Sequence, residues 1–179
     1  MNWKRSLIAA VTAVPVILLF AWGFTRDPGE IPSPLPGHPA PQFALDVFAP
    51  GQPPLSRIVG DTVRLADLRG QVVVLNFWAS WCKYCHKEAP ELVAFVKAHP
   101  EAVFIGVDVQ DKPADAQAFV TEFGVPFGSV VDPEGAIAEK LGVTGYPTTI
   151  FLDSNGVEVA RIIGQGSTAG FKAGLEKAQ

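Results

Sequence analysis

The sequence predicts an α/β fold, a central mixed β-sheet flanked by helices. Three observations carry this. From about residue 42 onward, short apolar runs of strand length alternate with helical patterns. The last two strand candidates, 148–152 and 157–163, are joined by Asp153-Ser154-Asn155-Gly156, a strong hairpin turn, so the sheet must hold an antiparallel pair. Both cysteines of the 179-residue chain, Cys82 and Cys85, lie where an apolar run ends and a helix begins.

The N-terminus reads as a transmembrane signal-anchor, residues 1–26. Lys4 and Arg5 precede an uncharged run from Ser6 to Thr25, and Arg26 and Asp27 close it. At about 1.5 Å rise per residue this run spans roughly 30 Å, the thickness of a bilayer core. A cleaved signal peptide would have a shorter apolar region ending in a small-x-small site, whereas Phe20, Trp22 and Phe24 stand here. This segment holds no cysteine, which excludes a bacterial lipid anchor. Basic residues ahead of the span place the N-terminus in the cytoplasm and the rest of the chain outside it. Residues 27–41 are a Pro-rich tether with prolines at 28, 32, 34, 36, 39 and 41. Proline at this density favours an extended spacer.

The globular domain is assigned to residues 42–179. Phe43, Leu45 and Val47 alternate as a short strand does, and a Pro/Gly loop follows over 49–55. Residues 62–65 make another short strand, and 65–68 a helical turn before Gly70. The continuous apolar run 72–78 predicts a central strand covered on both faces. A helix follows over 88–99, with Leu92, Val93, Phe95 and Val96 on its buried face and Pro90 inside it. Residues 102–109 are a second buried strand, 113–123 a helix, and 128–131 a short strand. Residues 134–141 form a helix stopped by Gly142. The hairpin comes next, and a helix over 168–177 closes the chain. There are no internal repeats.

Composition narrows the function. Apolar residues make up 48%, enough for a full core, and the net charge of −4 argues against a nucleic-acid surface. Two cysteines are too few for a disulfide framework or a four-thiolate zinc site. A Cys-x-x-Cys pair at a strand-to-helix junction is a redox site, because helix-end N–H groups and the helix dipole stabilise a thiolate there. A purely structural disulfide would close too short a loop to constrain the unfolded chain. Disulfide exchange needs one thiolate to attack and a second thiol to resolve the mixed disulfide. Cys82, at the helix start, is the expected attacker, and Cys85, one turn deeper, the resolver. Lys83 and Tyr84 between them tune the potential. Glu88, three residues after Cys85, is placed to lie beneath the pair; a solvated first-turn glutamate is the alternative.

The run Asn76-Phe77-Trp78-Ala79-Ser80-Trp81-Cys82-Lys83-Tyr84-Cys85, with Tyr146-Pro147-Thr148 before a late hairpin, resembles the thioredoxin fold. With the anchor, the 65–82 run, the Glu88-Ala89-Pro90-Glu91-Leu92 that follows and the 142–156 run, it is most similar to the membrane-anchored TlpA/ResA/CcmG (DsbE) family. The resemblance runs from about Pro41 to Gly164. It implies a thioredoxin-like fold with an N-terminal extension and a strand–helix insertion at 111–131. It implies that Pro147 is cis, and that Trp81, Tyr146, Pro147 and Thr148 bind the client chain. It also implies that Glu88 relays a proton for Cys85. Minimal thioredoxins carry a buried aspartate where Asn76 stands, and Asn76 cannot titrate.

The implied activity is thiol–disulfide oxidoreduction on the periplasmic side of the cytoplasmic membrane. It acts on cysteine pairs of exported apoproteins, apocytochrome c in cytochrome c biogenesis first, with electrons from an integral-membrane donor of the CcdA/DsbD type. No resident cofactor and no metal is implied. Oxidation of client thiols, or reduction of a copper-site cysteine pair during oxidase assembly, would use the same residues. Two rival classes are remote. Cys82-Lys83-Tyr84-Cys85-His86 reads as a c-type haem attachment signature, but the only methionine is Met1, and an exposed helix position is the plainer reading of His86. A peroxiredoxin would carry threonine where Ala79 stands.

Overall fold

The computed structural model describes residues 37–51 and 59–179, with six helical positions before them (3, 13–15, 17 and 18). The predicted anchor, apart from those positions, and most of the predicted tether lie outside the described residues. Among the described residues no helix is long and apolar enough to cross a membrane. The chain divides into units 1–30 and 31–179, and the sheet belongs to the second.

The strands are β1 (Ala44–Ala49), β2 (Thr62–Arg64), β3 (Val73–Trp78), β4 (Val103–Val109), β5 (Gly128–Asp132), β6 (Thr148–Leu152) and β7 (Glu158–Ile163). The helices are α1 (Lys83–Ala98), α2 (Pro113–Phe123), α3 (Ala136–Lys140) and α4 (Thr168–Ala178), with a 3₁₀ turn at Leu65–Leu68. One sheet runs in the order β2-β1-β5-β4-β3-β6-β7. β3 is parallel to β4 and antiparallel to β6. All six of its residues are buried, as its unbroken apolar run requires. The strand–helix insertion expected over 111–131 is built as a helix and then a strand: α2 crosses back, and β5 enters between β4 and β1.

Each face of the sheet has its own core. Leu75, Phe77, Ile105, Val107 and Ile150 meet β1 and Leu141 on one side. Val74, Phe104 and Phe151 meet Leu92 and Phe95 of α1 and Phe171 and Leu175 of α4 on the other. A third cluster gathers Trp78, Ala79, Ala89 and Phe119 around the two cysteines.

Two boundaries differ from the sequence reading by more than two residues. The helix predicted over 88–99 starts at Lys83, because Cys82 is its N-cap: the Cys82 sulfur accepts the Cys85 N–H at 3.1 Å. That turn carries no apolar repeat from which to read a helix. Residues 37–40, assigned to the tether, pair with the β6–β7 hairpin. Gly37 N donates to Glu158 O, Glu158 N to His38 O, and Ala40 N to Gly156 O.

One buried ion pair fixes the loop ahead of β6. Arg161 donates to both carboxylate oxygens of Glu158 at 2.8 Å, and also to the carbonyls of Leu141 (2.7 Å) and Gly142 (2.9 Å). Both side chains are wholly buried. Removing one partner strands the other charge, which costs about 3–5 kcal/mol. Arg161→Met is therefore expected to lower unfolding stability by that amount in urea titrations. The double variant Glu158→Leu, Arg161→Met, which strands no charge, is expected to lose less.

Candidate active site

Cys82 and Cys85 are joined as a disulfide, with their Cα atoms 5.2 Å apart. β3 delivers the chain to the end of the sheet, residues 79–82 turn, and α1 begins. Cys82 has extended dihedrals (φ −83°, ψ 106°) and faces the positive end of α1, whose first turn holds no acidic residue. That setting stabilises a Cys82 thiolate in the reduced protein. In the disulfide state Cys82 is 6% and Cys85 3% exposed.

The surroundings of the sulfurs are unequal. Trp81 and Tyr84 are largely exposed on either side of Cys82. The Trp81 indole N–H donates to Gln110 O at 3.3 Å, and its ring lies edge-on to Tyr146 at 5.8 Å. Lys83 is exposed at the head of α1. The Lys87 ammonium lies 5.5 Å from the Tyr84 ring centre. The Tyr146–Pro147 peptide bond is cis. Pro147 is buried, its carbonyl accepts from Gly164 N, and half-buried Tyr146 packs against the cysteine cluster. Thr148, expected to bind the client, is fully buried, and its hydroxyl donates to Gly145 O at 2.7 Å. Its side chain braces the turn ahead of Pro147 instead of facing solvent.

Glu88 is 2% exposed, not a solvated first-turn residue. One helical turn beyond Cys85, it points inward beneath the pair. Asn76 Nδ2 donates to its Oε1 at 2.9 Å, and Gly166 N donates to its Oε2 at 2.6 Å. Asn76 also donates to the Thr149 hydroxyl. Burial pushes the Glu88 carboxyl up from 4.5 to about 7; the bonds from Gly166 and Asn76 oppose this, and the nearby charge of Glu91 adds to it. Glu88, Asn76, Trp78 and Cys85 line one small cavity with room for about one water molecule.

His86 is not an exposed helix position. Half-buried, it meets the rings of Phe119 (5.1 Å) and Phe123 (5.4 Å) edge-on, and its Nε2 lies 2.6 Å from Ser80 O. A carbonyl only accepts, so Nε2 carries the proton. Haem attachment would need this imidazole as an iron ligand, and its Nε2 is engaged by Ser80 O. Sequence reasoning also passed over Ser80 in the 79–82 turn, over Asp111 and Gln110, which bond to that turn, and over Asp108 in register with Trp78. Their one visible signal is Asp108, a carboxylate inside the buried strand β4.

The AhpC/TSA family model matches residues 36–160. The thiol:disulfide interchange protein DsbE of Allochromatium vinosum is 35% identical over 156 residues, covering 86% of this chain and 81% of that protein. The thiol-disulfide oxidoreductase ResA of Geobacillus kaustophilus is 32% identical over 166 residues, covering 89% of this chain and 88% of that protein. Among solved structures, a secreted Mycobacterium tuberculosis disulfide oxidoreductase homologous to DsbE superposes with a TM-score of 0.62 at 25% identity. It covers 73% of this chain and 92% of that one.

The Glu88 carboxyl makes stability depend on pH. Its folded value lies above the unfolded one, so the folded chain holds a proton that the unfolded chain releases between about pH 4.5 and 7. Its contribution is complete below pH 4.5 and is lost as pH rises through 7. A shift of this size corresponds to about 3 kcal/mol. Denaturant titrations are expected to show the wild type losing roughly that much stability across the window relative to Glu88→Gln, in which the position stays neutral throughout.

Proposed function

The chain belongs to the AhpC/TSA family, alongside the DsbE and ResA thiol–disulfide oxidoreductases, and from this premise we propose that it reduces disulfides in exported apoproteins. It is a thiol–disulfide oxidoreductase. The observation that supports the assignment of attacker and resolver is the inequality of the two sulfurs. Cys82 caps α1 beneath exposed aromatic rings, and Cys85 shares a closed cavity with a buried acid of raised pKa.

In the dithiol state the Cys82 thiolate attacks one sulfur of the client disulfide. A mixed disulfide forms, and the client's other sulfur leaves as a thiolate. Cys85 passes its proton to Glu88 across the cavity, attacks Cys82 Sγ and releases the second client sulfur. Two electrons move from the protein to the client, two protons complete the client thiols, and Cys82–Cys85 closes. Asn76 keeps an N–H on the Glu88 carboxyl in either protonation state. Trp81 and the Tyr146–Pro147 backbone hold the client as an added strand, and Lys83 and Tyr84 tune the potential.

The client class is exported proteins with cysteine pairs, apocytochrome c before haem attachment first among them. Residues 6–25 anchor the protein in the cytoplasmic membrane with the domain outside. An integral-membrane thiol donor of the CcdA/DsbD type restores the dithiol, because the compartment is oxidising.

Equilibration of the pair in thiol redox buffers tests the direction. A potential near −270 mV is the expected result; a potential near −120 mV marks an oxidant and overturns the reductase reading. Cys82→Ser is expected to abolish insulin reduction, and Cys85→Ser to accumulate a mixed disulfide on non-reducing gels. Equal trapping by both variants would reverse the roles.

A further inference from the structure

The turn that carries Cys82 is held from outside at every polar group of Ser80. Its N–H and hydroxyl donate to the two oxygens of Asp111, at 2.5 and 2.7 Å. Its carbonyl accepts from His86 on α1. Asp111 takes a third donor, the Lys112 N–H, as a carboxylate does. Trp81 is fastened to the same segment through Gln110 O. Residues 108–111, at the end of β4, thus form a wall against the turn that ends at Cys82.

Two features mark this wall as more than a packing surface. Gln110 has φ +53°, the only positive φ at a non-glycine among the described residues. Such a conformation persists only where neighbours impose it, and Gln110 is tied to Asp132 O and Glu134 O. Asp108, in register with Trp78 of β3, is buried beside Asp111, and its Oδ1 has no hydrogen-bond partner. An unpartnered buried carboxyl oxygen is costly and asks for a role.

We propose that Asp111, backed by Asp108 and opposed by His86, is a positioning residue for Cys82, fixing the 79–82 turn so that the attacking sulfur stays aimed at the client. The proposal rests on Cys82 being the attacker. It makes the site two-sided: Glu88 serves the proton of Cys85, and the Asp108–Asp111 pair serves the geometry of Cys82. The pair works as a unit because it holds one proton. Burial first, then the charge of Asp111 and a hydrogen bond to it, push Asp108 up to about 8. While Asp108 is neutral it donates to Asp111, and Asp111 keeps both bonds to Ser80. Once Asp108 ionises, two like charges face each other and the clamp loosens. Ionisable groups on the neighbouring elements include His86 on α1, Lys112 ahead of α2, and Asp132 and Glu134 at and beyond the end of β5.

The test is the rate at which the reduced full-length protein reacts at Cys82, read as iodoacetamide alkylation mapped by mass spectrometry across pH 5–10. Asp111→Ala is expected to slow alkylation about tenfold or more at a given thiolate fraction. Ser80→Ala, which deletes only a half-buried hydroxyl, is expected to slow it in the same direction and decides the matter should Asp111→Ala not fold. Asp108→Asn, which still donates to Asp111 but cannot ionise, is expected to abolish a fall in the wild-type rate above about pH 8. Wild-type rates and pH profiles in all three variants, with only a lowered Tm, would overturn the proposal while leaving the reductase reading intact. Alkylation of Cys85 in place of Cys82 would overturn the proposal and reverse the roles of the two cysteines, leaving the direction of exchange to the redox potential.

Discussion

The structure depends on the change from strand to helix at Cys82. β3 is held on both sides, by β4 in parallel and β6 antiparallel, so its end cannot shift along the sheet. Cys82 must then leave an extended backbone and open α1 within one residue, and its own sulfur caps the helix by accepting the Cys85 N–H. The atom proposed to attack the client is also the atom that caps the helix. The residues at that helix start run against ordinary preference. Acids favour a helix N-terminus, yet the first turn holds none, and Lys83 heads it. That choice leaves the dipole and the free N–H groups to the sulfur.

Beneath this junction, two carboxyl groups are buried for different ends, and their partners tell them apart. Glu88 receives two N–H bonds that favour its charge, and burial still outweighs them. A group so balanced changes protonation near neutral pH, as proton exchange with a thiol requires. Asp108 has no compensating donor at Oδ1, and a second acid stands beside it. Burial first, and then the neighbouring Asp111, raise its pKa, which suits the proposed role of holding another carboxylate in place. The two acids lie on one sheet face, Glu88 bonded to Asn76 and Asp108 in register with Trp78, two residues further along β3.

Much of this was legible in the sequence, and what was not shares a cause. The unbroken apolar run of β3, the Asp-Ser-Asn-Gly hairpin and the Cys-x-x-Cys spacing each state their structure locally. The true start of α1 did not, because its first turn is chosen for the sulfur and lacks an apolar stripe. His86 reads as surface until α2 folds over it and brings Phe119 and Phe123 against its ring. Asp111 and Ser80 are 31 residues apart and meet only because β4 lies beside β3. Glu88 could be placed from helical spacing, but its burial depends on Gly166, 78 residues away. An added Cβ at Gly166 would lie 3.2 Å from the Glu88 oxygen and 2.4 Å from the Phe171 ring. That glycine is what lets the loop N–H reach the carboxylate, and no local pattern announces it.

Cys82 is only 6% exposed, and its sulfur must still meet a client. A sulfur so recessed cannot select partners by its own contacts, so the surface around it must do so. Between residues 59 and 179 the large apolar side chains left exposed are Val59, Trp81 and Tyr84, and two of these three flank the disulfide. Exposed aromatic rings favour association, and concentrated at one rim they favour it there. Trp81 is not free to fold away, since its indole N–H is bound to Gln110 O and its ring rests on Tyr146. The wall that steadies the Cys82 turn therefore also steadies the ring that the client would touch first. On the proposed reading, docking and attack share one segment, so a client held against Trp81 would lie next to the sulfur beside it.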